Sequence, residues 1–108
     1  MLINDLICKC DCKRLTRDSV QVSFNQVYIG DLLSFVMGHA SESSLWLTIQ
    51  GHLNIVAVAK IKDFSGVVIC EGVKVSSEVI EKAEEEGISL FSYEGSLYEL
   101  ASKLSNVL

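Results

Sequence analysis

From residue 27 to the C-terminus, short apolar runs of strand length alternate with helix-length segments bounded by Gly, Ser or Asp, and this alternation excludes most folds. A strand that is followed by a helix before the next strand has a crossover long enough for parallel pairing, so the rhythm implies βαβ units. Residues 27–29, 45–49, 67–69 and 88–91 read as the strands, rich in the β-branched and large side chains that pleated sheets favour. Between the first two, Gly30-Asp31 offers an N-cap to a helix carrying Leu32, Leu33, Val36 and Met37 on one face as far as Gly38. The apolar run 55–59 fits either a helix or a strand by periodicity, and its alanines and the length of the segment 52–62 favour a helix. Ser76 or Ser77 then caps a helix that turns Val79, Ile80 and Ala83 inward, keeps Glu81, Lys82, Glu84, Glu85 and Glu86 wet, and stops at Gly87. Ser96-Leu97-Tyr98-Glu99 is a capping box for a last helix with Leu97, Leu100, Ala101 and Leu104 inward.

Upstream, Leu2, Ile3, Leu6 and Ile7 recur at helical spacing and predict a short amphipathic helix that is over by the charged stretch 11–17. Residues 19–24 alternate, with Val20, Val22 and Phe24 on one side, the period of a half-buried strand. The expected fold class is α/β: a mainly parallel β-sheet flanked by helices in three layers. A chain of 108 residues suits one such domain over 1–108, with residues 1–26 as an N-terminal helix and strand and 27–108 as βα repeats.

A net charge of −5 without a cluster of Lys or Arg argues against nucleic acid or an anionic membrane surface as the main partner. The longest strongly apolar run, 55–59, is far short of a membrane span, and the first ten residues carry an acid and no small-residue cleavage site. We therefore expect a cytoplasmic protein whose four cysteines are thiols or metal ligands rather than a disulfide framework.

In sheets of this kind ligands sit at the carboxyl ends of the strands, which here are followed by residues 30–31, 50–54, 70–77 and 92–96. Asp31 reads as an N-cap worth about 1 kcal/mol and is also placed to contact a ligand hydroxyl. Gln50 and Asn54 can supply amide contacts to a base or sugar, or cap the neighbouring helix. His52, beside Gly51 at a helix start, can bind an anion or carry a proton, or simply face solvent. Glu71 lies in the loop after the third strand of the repeat, and Ser76 and Ser96 stand at helix N-termini whose backbone N–H groups attract anions. Gly51, Gly72 and Gly95 form neither a Gly-x-Gly-x-x-Gly nor a Walker-type loop. Neither a Gly-x-Ser-x-Gly elbow nor a His-Glu-x-x-His pair is present, so we expect no catalysis; a hydrolase or transferase built on His52 and Asp31 is a third reading. Cys8, Cys10 and Cys12 alternate: in an extended segment all three share a side and suit a soft metal, whereas on a helix only Cys8 and Cys12 do. Cys70 reads as a small core residue, His39 as a helix-end partner, and Trp46 as core or dimer interface.

The segments Gly30-Asp31-Leu32-Leu33-Ser34, Leu45-Trp46-Leu47-Thr48-Ile49-Gln50 and Asn54-Ile55-Val56-Ala57-Val58-Ala59, followed by a strand, helix, strand, helix ending, resemble the DRTGG-domain family over about residues 27–104. The likeness is to its small stand-alone members in anaerobic bacteria. It implies an α/β domain similar to the N-terminal domain of HPr kinase/phosphorylase, and a helix over the ambiguous segment. It also implies regulatory ligand sensing, in a family fused elsewhere to CBS domain pairs or encoded near iron-only hydrogenases and signalling kinases. The Asp-Arg-Thr-Gly-Gly stretch that names the family is absent; Gly51-His52-Leu53-Asn54 stands in its place without the acid or the arginine.

The expected function is thus a non-catalytic regulatory module for a small anionic or nucleotide-like ligand or a protein partner of hydrogenase or kinase type. Self-association as a homodimer through the N-terminal apolar stripe is expected as well. The cofactor is unknown, and the alternative is a metal or redox accessory protein using Cys8, Cys10 and Cys12.

Overall fold

The computed structural model describes residues 1–17 and 22–108. Among them, β1 (Lys13–Arg14), β2 (Val27–Ile29), β3 (Leu45–Thr48), β4 (Gly66–Ile69) and β5 (Leu90–Ser92) form one sheet in the order β1-β5-β4-β3-β2. Strands β2 to β5 are parallel, and β1 lies antiparallel to β5 at one edge. The helices are α1 (Asp5–Cys10), α2 (Leu33–His39), α3 (Asn54–Ile61), α4 (Ser77–Glu86) and α5 (Leu97–Val107).

Alternate residues of the central strands feed two cores. Trp46, Val67, Ile69 and Leu90 meet α2, α3 and α4 on one face, while Leu45, Leu47, Val68 and Phe91 meet α1 and α5 on the other. This is the expected three-layer α/β arrangement, and burial on both faces explains why β4, and β3 as far as Leu47, read as apolar runs. Trp46 belongs to the core: it is fully buried, and its Nε1 donates to the Gly30 carbonyl at 2.9 Å. Helix ends follow local chemistry where a cap is present. Ser76 accepts from Val79 N, Gly87 closes α4 with a φ of 73°, and Ser96 and Glu99 complete the expected capping box.

Several boundaries differ from expectation. Helix α1 starts at Asp5, after a turn in which Asp5 N donates to the Leu2 carbonyl and the Asp5 carboxylate accepts the Leu2 N–H. Leu2 instead bridges Ser23, and Ile3 N donates to the Val22 carbonyl. The apolar stripe is divided as a result: Ile3 and Leu6 are buried in the second core, and Leu2 and Ile7 are exposed. Residues 19–21 of the expected strand 19–24 lie outside the described residues; of the remainder, Phe24 is buried and Val22 exposed. Strand β1 was hidden in a charged stretch. Arg14 holds it there, with Nη1 donating to Asn4 Oδ1 at 2.7 Å and Nη2 to Ser89 Oγ at 3.0 Å, while the guanidinium lies over the Phe91 ring. Gly66 has no side chain where a Cβ would meet Ile3 Cδ1 at 2.8 Å, which lets the N-terminal segment lie close against β4. No helix of the described residues is long and apolar enough to cross a membrane.

Candidate functional site

The loops after β2, β3, β4 and β5 emerge along one edge of the sheet and touch each other there. Gly51, after β3, approaches the backbone of Lys74, after β4, and a Cβ on Gly51 would lie 3.3 Å from the Lys74 carbonyl. Glu71 and Gly72 both adopt left-handed conformations (φ 64° and 67°) in a tight turn closed by Val73 N on the Cys70 carbonyl. That turn is pinned to the β5 loop by Glu71 N on the Gly95 carbonyl (2.8 Å) and Gly72 N on the Tyr93 carbonyl (3.1 Å).

Asp31 does not cap α2. The N-cap position is Leu32, which has no side-chain bond to offer, and the Asp31 carboxylate is engaged across the sheet instead. Its Oδ1 accepts from Thr48 Oγ1 at 2.8 Å and from Ile49 N at 2.9 Å. Thr48 Oγ1 in turn accepts from Gln50 N, and Gln50 Nε2 donates to the Asp31 carbonyl at 3.3 Å. Thr48 is fully buried, so its hydroxyl needs this partner, and a charge-assisted acceptor outcompetes a solvent-exposed helix end. Among the described residues, Oδ2 of Asp31 has no protein partner.

Beside this network, Gly51, His52 and Leu53 face Ser76, Glu78 and Val79 across an open cleft of about 330 Å³. The structure thus brings Asp31 to Gln50, and His52 to Ser76. It does not bring the others to them. Glu71 Oε2 accepts from Leu97 N and so holds the start of α5, where Ser96 accepts from Glu99 N. Asn54 opens α3 without capping it and lines a separate, mostly apolar groove between α3 and α4. Thr48 and Lys74 were missed from sequence. The signal for Thr48 is a hydroxyl ending an otherwise apolar strand; for Lys74 it is an exposed cation in a strand-end loop. A larger hollow, about 520 Å³, lies at the opposite sheet edge. Two of its polar side chains are engaged, Lys60 Nζ donating to the Glu86 carbonyl and Ser65 Oγ bonding the Ser23 and Ser43 carbonyls.

The cysteines separate by environment. Cys8 is exposed, while Cys10, Cys12 and Cys70 are buried in the second core, and the helix ends before Cys12, so Cys8 and Cys12 share no face. Burial pushes the Cys12 and Cys70 thiols up to about 12, and raises Cys10 as well. Such thiols are protonated at neutral pH and act as small apolar residues. Among the described residues, no group of three or more His, Cys, Asp or Glu side chains is placed to hold a metal ion.

No family model matches the chain, and no curated protein matches it. Among solved structures it resembles the CBS and DRTGG domains of the regulatory region of Clostridium perfringens pyrophosphatase, in complex with the activator diadenosine tetraphosphate. The TM-score is 0.78 at 13% sequence identity, over 98% of this chain and 46% of that one. The chain therefore spans about half of that regulatory region, and the likeness establishes a shared α/β fold of the CBS/DRTGG type.

Proposed function

We propose that the chain is a non-catalytic regulatory module, one domain over 1–108, that binds a small nucleotide-like ligand at the carboxyl edge of its sheet. The observation that carries this reading is the Asp31–Thr48–Gln50 network, which holds at a strand end beside the His52 cleft a carboxylate oxygen with no partner among the described residues. Asp31 Oδ2 suits a ribose hydroxyl, Gln50 suits a base or sugar edge, and His52 with Lys74 suits a phosphate. Glu78 on the same wall opposes a multiply charged anion, so the fit favours a nucleoside or nucleoside monophosphate over inorganic phosphate. The fold shared with a regulatory region solved with diadenosine tetraphosphate supports a nucleotide-like ligand as a broad class, although that activator carries more phosphate charge than the cleft beside Glu78 favours. We further propose a cytoplasmic setting, self-association, and regulation of a hydrogenase- or kinase-type partner through the ligand-bound state.

The test is thermal unfolding across nucleosides and nucleotides. A ligand that binds only the native state at 100 times its Kd adds about 2.7 kcal/mol, roughly 10 °C for a domain of this size. Substituting Gln50 and His52 by Ala removes that shift and leaves the unliganded midpoint within a few degrees. Silence across the panel refutes nucleotide binding, and a shift untouched by the substitutions places the site elsewhere.

A further inference from the structure

At the foot of the sheet, across from its carboxyl edge, the segments that lead into β3, β4 and β5 border the hollow of about 520 Å³, a size within the range of small-molecule sites. Its two sides hold unused hydrogen-bonding capacity of opposite kinds. On the acceptor side, Ser65 Oγ lies 3.0 Å from the Ser23 carbonyl and 2.8 Å from the Ser43 carbonyl. A hydroxyl has one proton and satisfies one of these oxygens at a time, and neither carbonyl has another donor among the described residues. Asp63, whose own carbonyl accepts from Ser43 N, adds a carboxylate with no partner among the described residues.

The donor side is built on Ser89, which is 8% exposed. Its Oγ accepts from Arg14 Nη2 at 3.0 Å, and its hydroxyl proton has no acceptor among the described residues. The Ser89 carbonyl accepts from Val67 N, and in a parallel ladder the N–H of the same residue turns toward the same neighbouring strand. That N–H makes no bond among the described residues, so a second donor on this buried residue is left over. Lys60 Nζ reaches the same side, where it donates to the Glu86 carbonyl and keeps further protons for a guest. The Glu86 carboxylate is paired with Lys82 at 3.5 Å, which leaves one cation, Lys60, and one anion, Asp63, to face the hollow.

We propose that this hollow binds a free α-amino acid as its zwitterion, the ammonium on the Ser23 and Ser43 carbonyls and Asp63, the carboxylate on Ser89 and Lys60. An anion alone would oppose Asp63, and a cation alone would oppose Lys60; a guest that carries both charges and no net charge completes both sides. The spacing suits one whose two charged groups share a single carbon. Ser65 and Ser89 stand at the feet of neighbouring strands, which lie about 4.8 Å apart. The site is separate from the carboxyl edge and adds a second ligand to the function proposed above.

Amide spectra of the nitrogen-labelled full chain, recorded with each of the common L-amino acids at millimolar concentration, test the assignment. At least one of them shifts the amides of Ser43, Ser65 and Ser89, with Ser89 moving furthest because its N–H gains a partner, and leaves those of Gln50 and His52 in place. The N-acetyl and methyl ester derivatives of that amino acid, which remove the ammonium and the carboxylate in turn, each bind about tenfold more weakly or worse, the value of a charge-assisted hydrogen bond. Lys60→Met and Asp63→Asn, both at exposed positions, weaken the free amino acid by a similar factor and keep the melting temperature within a few degrees. Silence of these amides across the panel overturns the site. A methyl ester as tight as the free acid overturns the Ser89 side, an N-acetyl derivative as tight overturns the Ser23 and Ser43 side, and the same shifts produced by inorganic phosphate or potassium chloride overturn the zwitterion.

Discussion

Replacing Asp31 by Ala separates two physical roles that a single aspartate after a strand can play. As a helix cap it is worth about 1 kcal/mol. In the structure it is instead the acceptor for a fully buried Thr48 hydroxyl and for Ile49 N. Losing it removes a charge-assisted bond worth roughly 1.5–3 kcal/mol, part of which is the cost of stranding the hydroxyl, at about 1–3 kcal/mol. The two overlap, and the expected loss is about 3 kcal/mol, or roughly 10–15 °C in midpoint for a domain near this size. Trp46 reports it without a label, since its indole is buried and bonded to Gly30, the residue before Asp31. Urea unfolding followed by Trp46 fluorescence therefore gives the free energy. Asp31→Asn keeps an oxygen at the Oδ1 position and recovers half or more of the loss. In a Thr48→Val background the same Asp31→Ala change costs about 1–2 kcal/mol less, because the stranded donor is already gone. A loss near 1 kcal/mol that is equal in both backgrounds would refute the network and restore the cap.

Two further outcomes follow from burial and capping. The Cys12 and Cys70 thiols lie at about 12 in the folded chain against 9.0 for the free thiol, so the unfolded state releases its protons first. Stability is therefore full below pH 9 and falls as pH rises from 9 toward 12, by on the order of 1 kcal/mol per thiol per pH unit. Chemical denaturation at pH 8 and pH 10 measures the fall, and a Cys12→Ala, Cys70→Ala protein with the same pH dependence would show that other groups cause it. Ser96→Ala breaks a capping box that is complete on both sides and costs about 1 kcal/mol, whereas Leu32→Ala at the N-cap of α2, where there is no side-chain bond to lose, costs no cap energy; equal losses in thermal melts would contradict the caps described.

The helices that could be delimited from sequence are those whose ends are set by local chemistry. Ser76, Gly87 and the Ser96–Glu99 pair mark α4 and α5 within a few consecutive residues, and the structure places the ends there. The N-terminal region was less legible because its partners are distant. Leu2 pairs with Ser23, Arg14 bonds to Ser89, and β1 is two charged residues whose strand character exists only beside β5. Alternation and periodicity report which face is apolar, not which segment will supply the neighbour. The same limit applies to Asp31. Residue type and position fit a cap, and only the fold brings Thr48 close enough to compete for the carboxylate.

At the sheet edge, hydrogen-bond bookkeeping sorts the candidates further than proximity does. Ser76, Ser96 and Glu71 stand at the right edge, yet each already accepts a backbone N–H at a helix start, so a ligand bonding through those atoms must first release a helix terminus. Asp31 differs: one oxygen is fixed by β3 and the other is unengaged among the described residues, so its orientation is set before any ligand arrives. Gln50 is likewise held by its Nε2, which directs its remaining oxygen. Groups whose rotamers are already fixed lose little entropy on binding, whereas exposed His52 and Lys74 must be ordered by whatever they contact. On the function proposed above, the division of labour is recognition by Asp31 and Gln50 and phosphate contact by His52 and Lys74. It predicts that Gln50→Ala changes which ligand is preferred, while His52→Ala lowers affinity for charged ligands alone. Calorimetric titration of a nucleoside against its monophosphate distinguishes the two variants, and equal losses for both ligands in both variants would end the distinction.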